Sequence, residues 1–178
     1  MKNIFLFIAV SASLALSSCK GDPGPKGDSG VEYSQVFEAT VRNFQFDSAR
    51  NQLFSDFYSF PFTVYESDVV LAYRYEGQED LGNGEKADIW TMLPSTLFFS
   101  DGTGDMFQYN FNHTFIDIQF TVEGNFPLNN IGSNYSSNQI FRIAVVPAAF
   151  AQRNPTMNEV MEVMKNEGGK ITELERLD

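Results

Sequence analysis

Ile116, Ile118, Phe120 and Val122 alternate without a break with Asp117, Gln119, Thr121 and Glu123. A β-strand sends successive side chains to opposite faces, so such a stretch is apolar on one side and wet on the other. It is stable only when a second layer covers the apolar side. The same period of two recurs along the chain. Phe37, Ala39 and Val41 alternate with Glu38, Thr40 and Arg42, and further sets are Phe60, Phe62, Val64, then Val69, Leu71, Tyr73, Tyr75. Ile89, Thr91, Leu93 and Phe107, Tyr109, Phe111 follow. Pro61 has no N–H for a ladder, which assigns its run to an edge strand or a bulge. Ile140 to Val146 is apolar on both faces apart from Arg142, the pattern of a central strand.

Turn residues separate these runs: Gly82-Asn83-Gly84, Asp101-Gly102-Thr103-Gly104, Asn112-His113-Thr114, and Asn129-Asn130 through Gly132. About seven or eight short strands, with a turn roughly every ten residues, predict a mainly β fold: an antiparallel β-sandwich. The 18 phenylalanines supply the volume for two sheets packed with aromatic faces inward. One short C-terminal helix is expected as well. Thr156 and Glu159 form a T-x-x-E capping box, and Met157, Val160, Met161 and Met164 follow at helical spacing before Gly168-Gly169. That methionine stripe reads as a lid on a sheet. The tail from Ile171 to Leu177 is compatible with a strand or a last helical turn.

The N-terminus has a different grammar. Met1-Lys2-Asn3 is a short positive segment, and Ile4 to Leu16 is apolar except for Ser11 and Ser13. This is the pattern of an export signal, and it is too short for a spanning helix, which needs roughly 20 apolar residues. Leu16-Ser17-Ser18-Cys19 resembles a bacterial lipobox, which makes Cys19 the expected lipid attachment point and residues 1–18 the cleaved signal. Cys19 is the only cysteine, so its acylation leaves no thiol for a disulfide or a thiolate metal site. The fold must then be held by its core alone.

Residues 19–30 read as a spacer. Gly21, Gly24, Gly27 and Gly30 recur at every third place with Pro23 and Pro25 between them, which is the collagen repeat. Three triplets are too few to offset the entropy of aligning three chains, so a stiff polyproline-like stalk is expected rather than a triple helix. Residues 31–178 form the predicted sandwich domain, large enough to bury a sizeable core.

A lipobox cysteine, a few collagen-like triplets and a Phe/Tyr-rich domain, in that order, resemble an uncharacterised lipoprotein family of Bacteroidota. The stretches that carry the likeness are Ala87 to Pro94, Phe107 to Phe111 and Gln139 to Pro147. The resemblance implies a cell-envelope address, lipid-anchored at the outer membrane on its periplasmic or surface face. It brings no activity with it. Asp47-Ser48-Ala49 also resembles the O-glycosylation site that these bacteria use on exported proteins, which makes Ser48 a candidate.

The acidic balance, 12 Lys and Arg against 23 Asp and Glu, disfavours a nucleic-acid partner, because a phosphate backbone would repel the surface. No Walker loop, dinucleotide fingerprint, HExxH or G-x-S-x-G elbow occurs, so no cofactor, metal or catalytic residue is assigned. His113 is the only histidine and lies in a predicted turn. The pairs Glu66 with Asp68, Glu79 with Asp80, and Asp101 with Asp105 would be the only route to a carboxylate-based hydrolase. The loop from Asp101 to Asp105 supplies at most part of a calcium shell and reads better as a tight turn. Trp90, the only tryptophan, lies opposite Ile89 and Leu93. If that face is bare, Trp90 with Tyr73 or Tyr75 makes a stacking platform for a glycan; if it is covered, Trp90 is core, the favoured expectation. The sequence therefore points to an envelope lipoprotein with a non-catalytic binding or structural domain. The alternatives are a carbohydrate-binding module of a glycan-uptake system and the carboxylate hydrolase.

Overall fold

A computed structural model describes residues 34–82 and 84–177. The expected export signal, Cys19, the expected spacer and Asn83 lie outside the described residues. Within them the chain is a β-sandwich with a helix laid on the outside of one sheet. The first sheet has the order β11-β1-β10-β5-β6. Its strands are β1 (Gln35–Asn43), β5 (Asp68–Asp80), β6 (Lys86–Met92), β10 (Ser137–Pro147) and the two-residue β11 (Thr172–Glu173). The second sheet contains β2 (Gln45–Asp47), β3 (Gln52–Phe54), β4 (Tyr58–Ser59), β7 (Ser95–Phe98), β8 (Met106–His113), β9 (Asp117–Gly124) and β12 (Glu175–Arg176). All pairings are antiparallel except that of β11 with β1.

Seven strands of four residues or more carry the fold, and the five shorter ones are fragments beside them. β3 and β4 both pair with β9, so they form one strand interrupted at Ser55. There the Ser55 hydroxyl accepts from the Phe120 N–H at 3.0 Å, taking the place of a backbone carbonyl. The run around Pro61 lies outside any strand. Phe60 and Val64 are still buried, and their N–H groups donate to the carbonyls of Ile116 and Phe115. β7 was not marked by alternation; it follows the cis Leu93–Pro94 bond and pairs with β8.

β10 is central, paired with β1 on one side and β5 on the other. Phe141, Ile143 and Val145 point into the sandwich, while Ala144 and Val146 face the other way. Phe141 stacks on Phe120 of the opposite sheet, with ring centroids 3.9 Å apart and planes 11° from parallel. Both rings are fully buried.

The described residues also include three short α-helices, α1 (Ser133–Ser136), α2 (Ala148–Ala151) and α3 (Met157–Asn166), and a 3-10 turn at Leu128–Asn130. The first two are single turns that the sequence pattern did not predict. At α3 both halves of the capping box are present: the Thr156 hydroxyl accepts from the Glu159 N–H, and the Glu159 carboxylate accepts from the Thr156 N–H at 2.7 Å. Met157, Val160 and Met164 pack on Val36, Tyr73, Ala144 and Val146, so the methionine stripe covers the outer face of the first sheet. Gly168, with φ +75°, ends the helix in a conformation that a side chain would disfavour. The tail then crosses the side of the sandwich: β11 joins the first sheet, buried Leu174 bridges, and β12 joins the second. Among the described residues no helix is long and apolar enough to cross a membrane.

Candidate functional site

The residues singled out for a stacking platform share one face of the first sheet but do not form a platform of three. Tyr73 is only 1% exposed, and its hydroxyl donates to the Pro155 carbonyl at 2.6 Å. Burial pushes its pKa up to about 12, with the Glu159 charge adding to the effect. Tyr73 is thus part of the support for α3, and its place in a ligand-stacking surface is corrected. Tyr75 and Trp90 are half-buried and adjacent, with centroids 5.2 Å apart and rings tilted by 51°. The Arg142 guanidinium lies over the indole at 4.1 Å and is held there by Glu38, 3.2 Å from its Nε. One face of Trp90 is therefore already occupied by a cation.

Asp47 Oδ1 accepts from the N–H groups of Ala49 and Arg50, which folds the β2–β3 turn and leaves Ser48 exposed at its tip. Asp101 accepts from both the N–H and the hydroxyl of Thr103, and these bonds lower its pKa. The loop from Asp101 to Asp105 is a tight turn built around that carboxylate. Asp68 and Asp80 likewise accept from Tyr65 and Gly82 within their own turns. His113 is exposed, with Nδ1 3.0 Å from the Thr114 carbonyl. Among the described residues no three His, Cys, Asp or Glu side chains converge where they could hold a metal ion.

The most unusual polar arrangement is one that the alternation argument passed over. The inward face of β5 reads Val70, Ala72, Arg74, and the third of these carries a charge into the space between the sheets. Arg74 is only 7% exposed. Its guanidinium lies 4.5 Å from the centre of the Tyr109 ring, Nη2 donates to Glu76 at 2.6 Å, and Nη1 is 3.4 Å from the Gln139 carbonyl oxygen. Among the described residues the buried Nε–H has no hydrogen-bond partner. Tyr109 donates to the Tyr135 carbonyl at 2.6 Å, and burial pushes its pKa up to about 12 despite the nearby Arg74 charge. The Gln139 amide in turn donates to the carbonyls of Asn134 and Ser137, which fixes α1 against the start of β10. Above this floor opens a cleft of about 540 Å³, walled by β5 and β6 on one side, β7 on a second and α1 on a third. A guanidinium in phase with Val70 and Ala72 was the signal available in the sequence. It was obscured because the opposite face, with Val69, Leu71, Tyr73 and Tyr75, is the more apolar of the two.

Comparison with protein-family models, curated proteins and solved structures finds no match to this chain.

Proposed function

We propose that this chain is an envelope lipoprotein, anchored through acylated Cys19, whose β-sandwich is a non-catalytic binding or structural module. The observation that carries the reading is the position of the only cysteine, behind an apolar leader and two serines and just ahead of the glycine repeat that begins at Gly21. The outer membrane is the proposed address, following the resemblance to Bacteroidota lipoproteins. The fold supports a tether at one end of the molecule. Ser34, where the described chain begins, donates its N–H to Glu167 at 3.0 Å, and Gln35 lies beside Val145 near the end of β10. The cleft over Arg74 lies towards the other end, where Val41 is paired with Gln139. Six residues of strand separate the two positions, about 20 Å at 3.3 Å per residue. The described chain thus begins at the end of the first sheet remote from the cleft.

Glycan stacking on Trp90 is the weaker reading of the binding role, because Arg142 covers one indole face and Tyr75 is tilted out of its plane. The anchor is tested by producing the full chain and its Cys19→Ser variant in a bacterial host supplied with labelled palmitate. The native chain is expected to carry label and to enter the detergent phase on Triton X-114 partition, and the variant to lose both. A variant that still partitions with detergent, or a native chain without label, overturns the proposal.

A further inference from the structure

We propose that the cleft over Arg74 binds a neutral, polyhydroxylated ligand, in chemical terms a sugar residue. This deepens the binding half of the reading above and rests on it, but is independent of the lipid anchor.

The position of the charge comes first. An arginine between two apolar sheets is costly to desolvate, and replacing a buried ion pair by apolar side chains is commonly neutral or stabilising. Stability of the sandwich therefore gives no reason for Arg74 to follow Val70 and Ala72. Its surroundings are nevertheless constructed. Tyr109 supports the guanidinium from below, Glu76 holds one end, and Gln139 connects it to α1. Such a group is rigid before a ligand arrives, which lowers the entropic cost of binding.

The second consideration is charge. Glu76 lies 2.6 Å from Nη2 and neutralises the cation, and the whole chain carries a formal charge of −11. An anion would have to displace Glu76 and approach against that field, so the pair is poorly suited to a carboxylate or phosphate. A guanidinium that donates beside a carboxylate that accepts suits neighbouring hydroxyls, each of which is donor and acceptor at once. Glu76 is partly open to solvent, with its side chain 32% exposed, and is accessible to such a partner. The rim continues the alternation of donor and acceptor: Thr91, opposite Arg74, and Ser95 bring hydroxyls, and Asn134 an amide, whereas the Thr96 hydroxyl is taken by Gln108 at 2.8 Å. A volume of about 540 Å³ lies within the usual range of small-molecule sites. No charge on the rim is left over to require an ionic ligand.

The experiment uses the full-length protein purified in a sugar-free detergent. Saturation-transfer NMR and calorimetry are run with glucose, galactose, mannose, N-acetylglucosamine and the trisaccharides maltotriose and mannotriose. Glucuronate and citrate are run in parallel. At least one neutral sugar is expected to bind saturably, and Arg74→Met to weaken it tenfold or more. Thr91→Val, a half-buried rim change opposite Arg74 that keeps the side chain's shape, is expected to weaken the same sugar at least threefold, so the test survives if the arginine variant fails to fold. Trp90→Phe is expected to leave binding unchanged.

Absence of saturable binding by every neutral probe overturns the proposal. So does binding of glucuronate or citrate alone, or sugar binding that is lost in Trp90→Phe and kept in Thr91→Val. Native chain that enters the detergent phase but binds no sugar defeats the cleft and leaves the anchor standing. A chain that binds sugar but carries no palmitate does the reverse.

Discussion

Replacing Phe120 by alanine removes one half of the ring stack that joins the two sheets. Phe120 belongs to β9 and Phe141 to β10, both rings are fully buried, and their centroids are 3.9 Å apart. Tyr58 also meets Phe120 edge-on at 6.2 Å, and Phe44 and Tyr109 meet Phe141. Truncating a buried phenylalanine costs about 3 to 5 kcal/mol, from lost transfer energy and the cavity left behind. Rings on three sides leave little room for the site to collapse, so about 4 kcal/mol is expected. Against a total stability of roughly 5 to 15 kcal/mol, that is a quarter or more of the whole. For a domain near 150 residues it corresponds to a fall in Tm of about 8 to 16 °C. Urea unfolding followed by far-UV circular dichroism measures the difference, and an unchanged m value would show that the unfolding reaction is the same. Phe98→Ala is the control: that ring is 73% exposed, and its loss should change stability by no more than about 0.5 kcal/mol. If Phe120→Ala costs less than about 1.5 kcal/mol, or no more than the control, the two sheets are not packed through this pair.

Thr156→Ala should cost about 1 kcal/mol by removing the cap of α3. The capping bonds also lower the Glu159 pKa below its ordinary 4.5, so their contribution is present above that value and is lost as pH falls through the lowered one. Native chain should show an acid-induced loss of α3 protection in hydrogen exchange that Glu159→Gln does not share. At the other extreme, Tyr73 and Tyr109 have pKa values raised from 10.0 to about 12. A raised value makes stability complete below pH 10 and eroded as pH rises towards 12, by about 3 kcal/mol for each group. Absorbance at 295 nm should show both phenols ionising late, together with cooperative unfolding; early titration of all seven tyrosines in a still-folded protein would refute the burial. Arg142→Ala should uncover Trp90, with a red-shifted emission and stronger acrylamide quenching, since the guanidinium lies 4.1 Å from the ring.

Some of this molecule is local and could be read directly along the chain. Alternation marked β1, β5, β8, β9 and β10, because a strand half-covered by a neighbour must separate its apolar and polar side chains. The Thr156–Glu159 box and Gly168-Gly169 marked both ends of α3 for a similar reason: a helix terminus is satisfied by residues adjacent in sequence. The single cysteine and its setting likewise needed no third dimension. Ser55, β7 and the tail were not legible, because each takes its structure from a partner far along the chain. Ser55 substitutes a hydroxyl for a carbonyl opposite Phe120, β7 exists only beside β8, and the tail divides between two sheets.

The same distinction decides the candidate sites. Periodicity set Trp90 opposite Ile89 within its own strand, but the register that pairs it with Tyr75, and Arg142 on a neighbouring region of the sheet, determined its company and how much of the indole stays bare. Arg74 was visible as a charge in an apolar register, yet its meaning depends on Glu76, Tyr109, Gln139 and α1 meeting at one end of the sandwich. A strand's pattern records only which of its faces is turned inward. Which groups wait on the other side of that interior is set by the pairing of β5 with β10 and the stacking of the second sheet upon the first. Those are contacts between segments tens of residues apart, and their energy is counted only once the chain has folded.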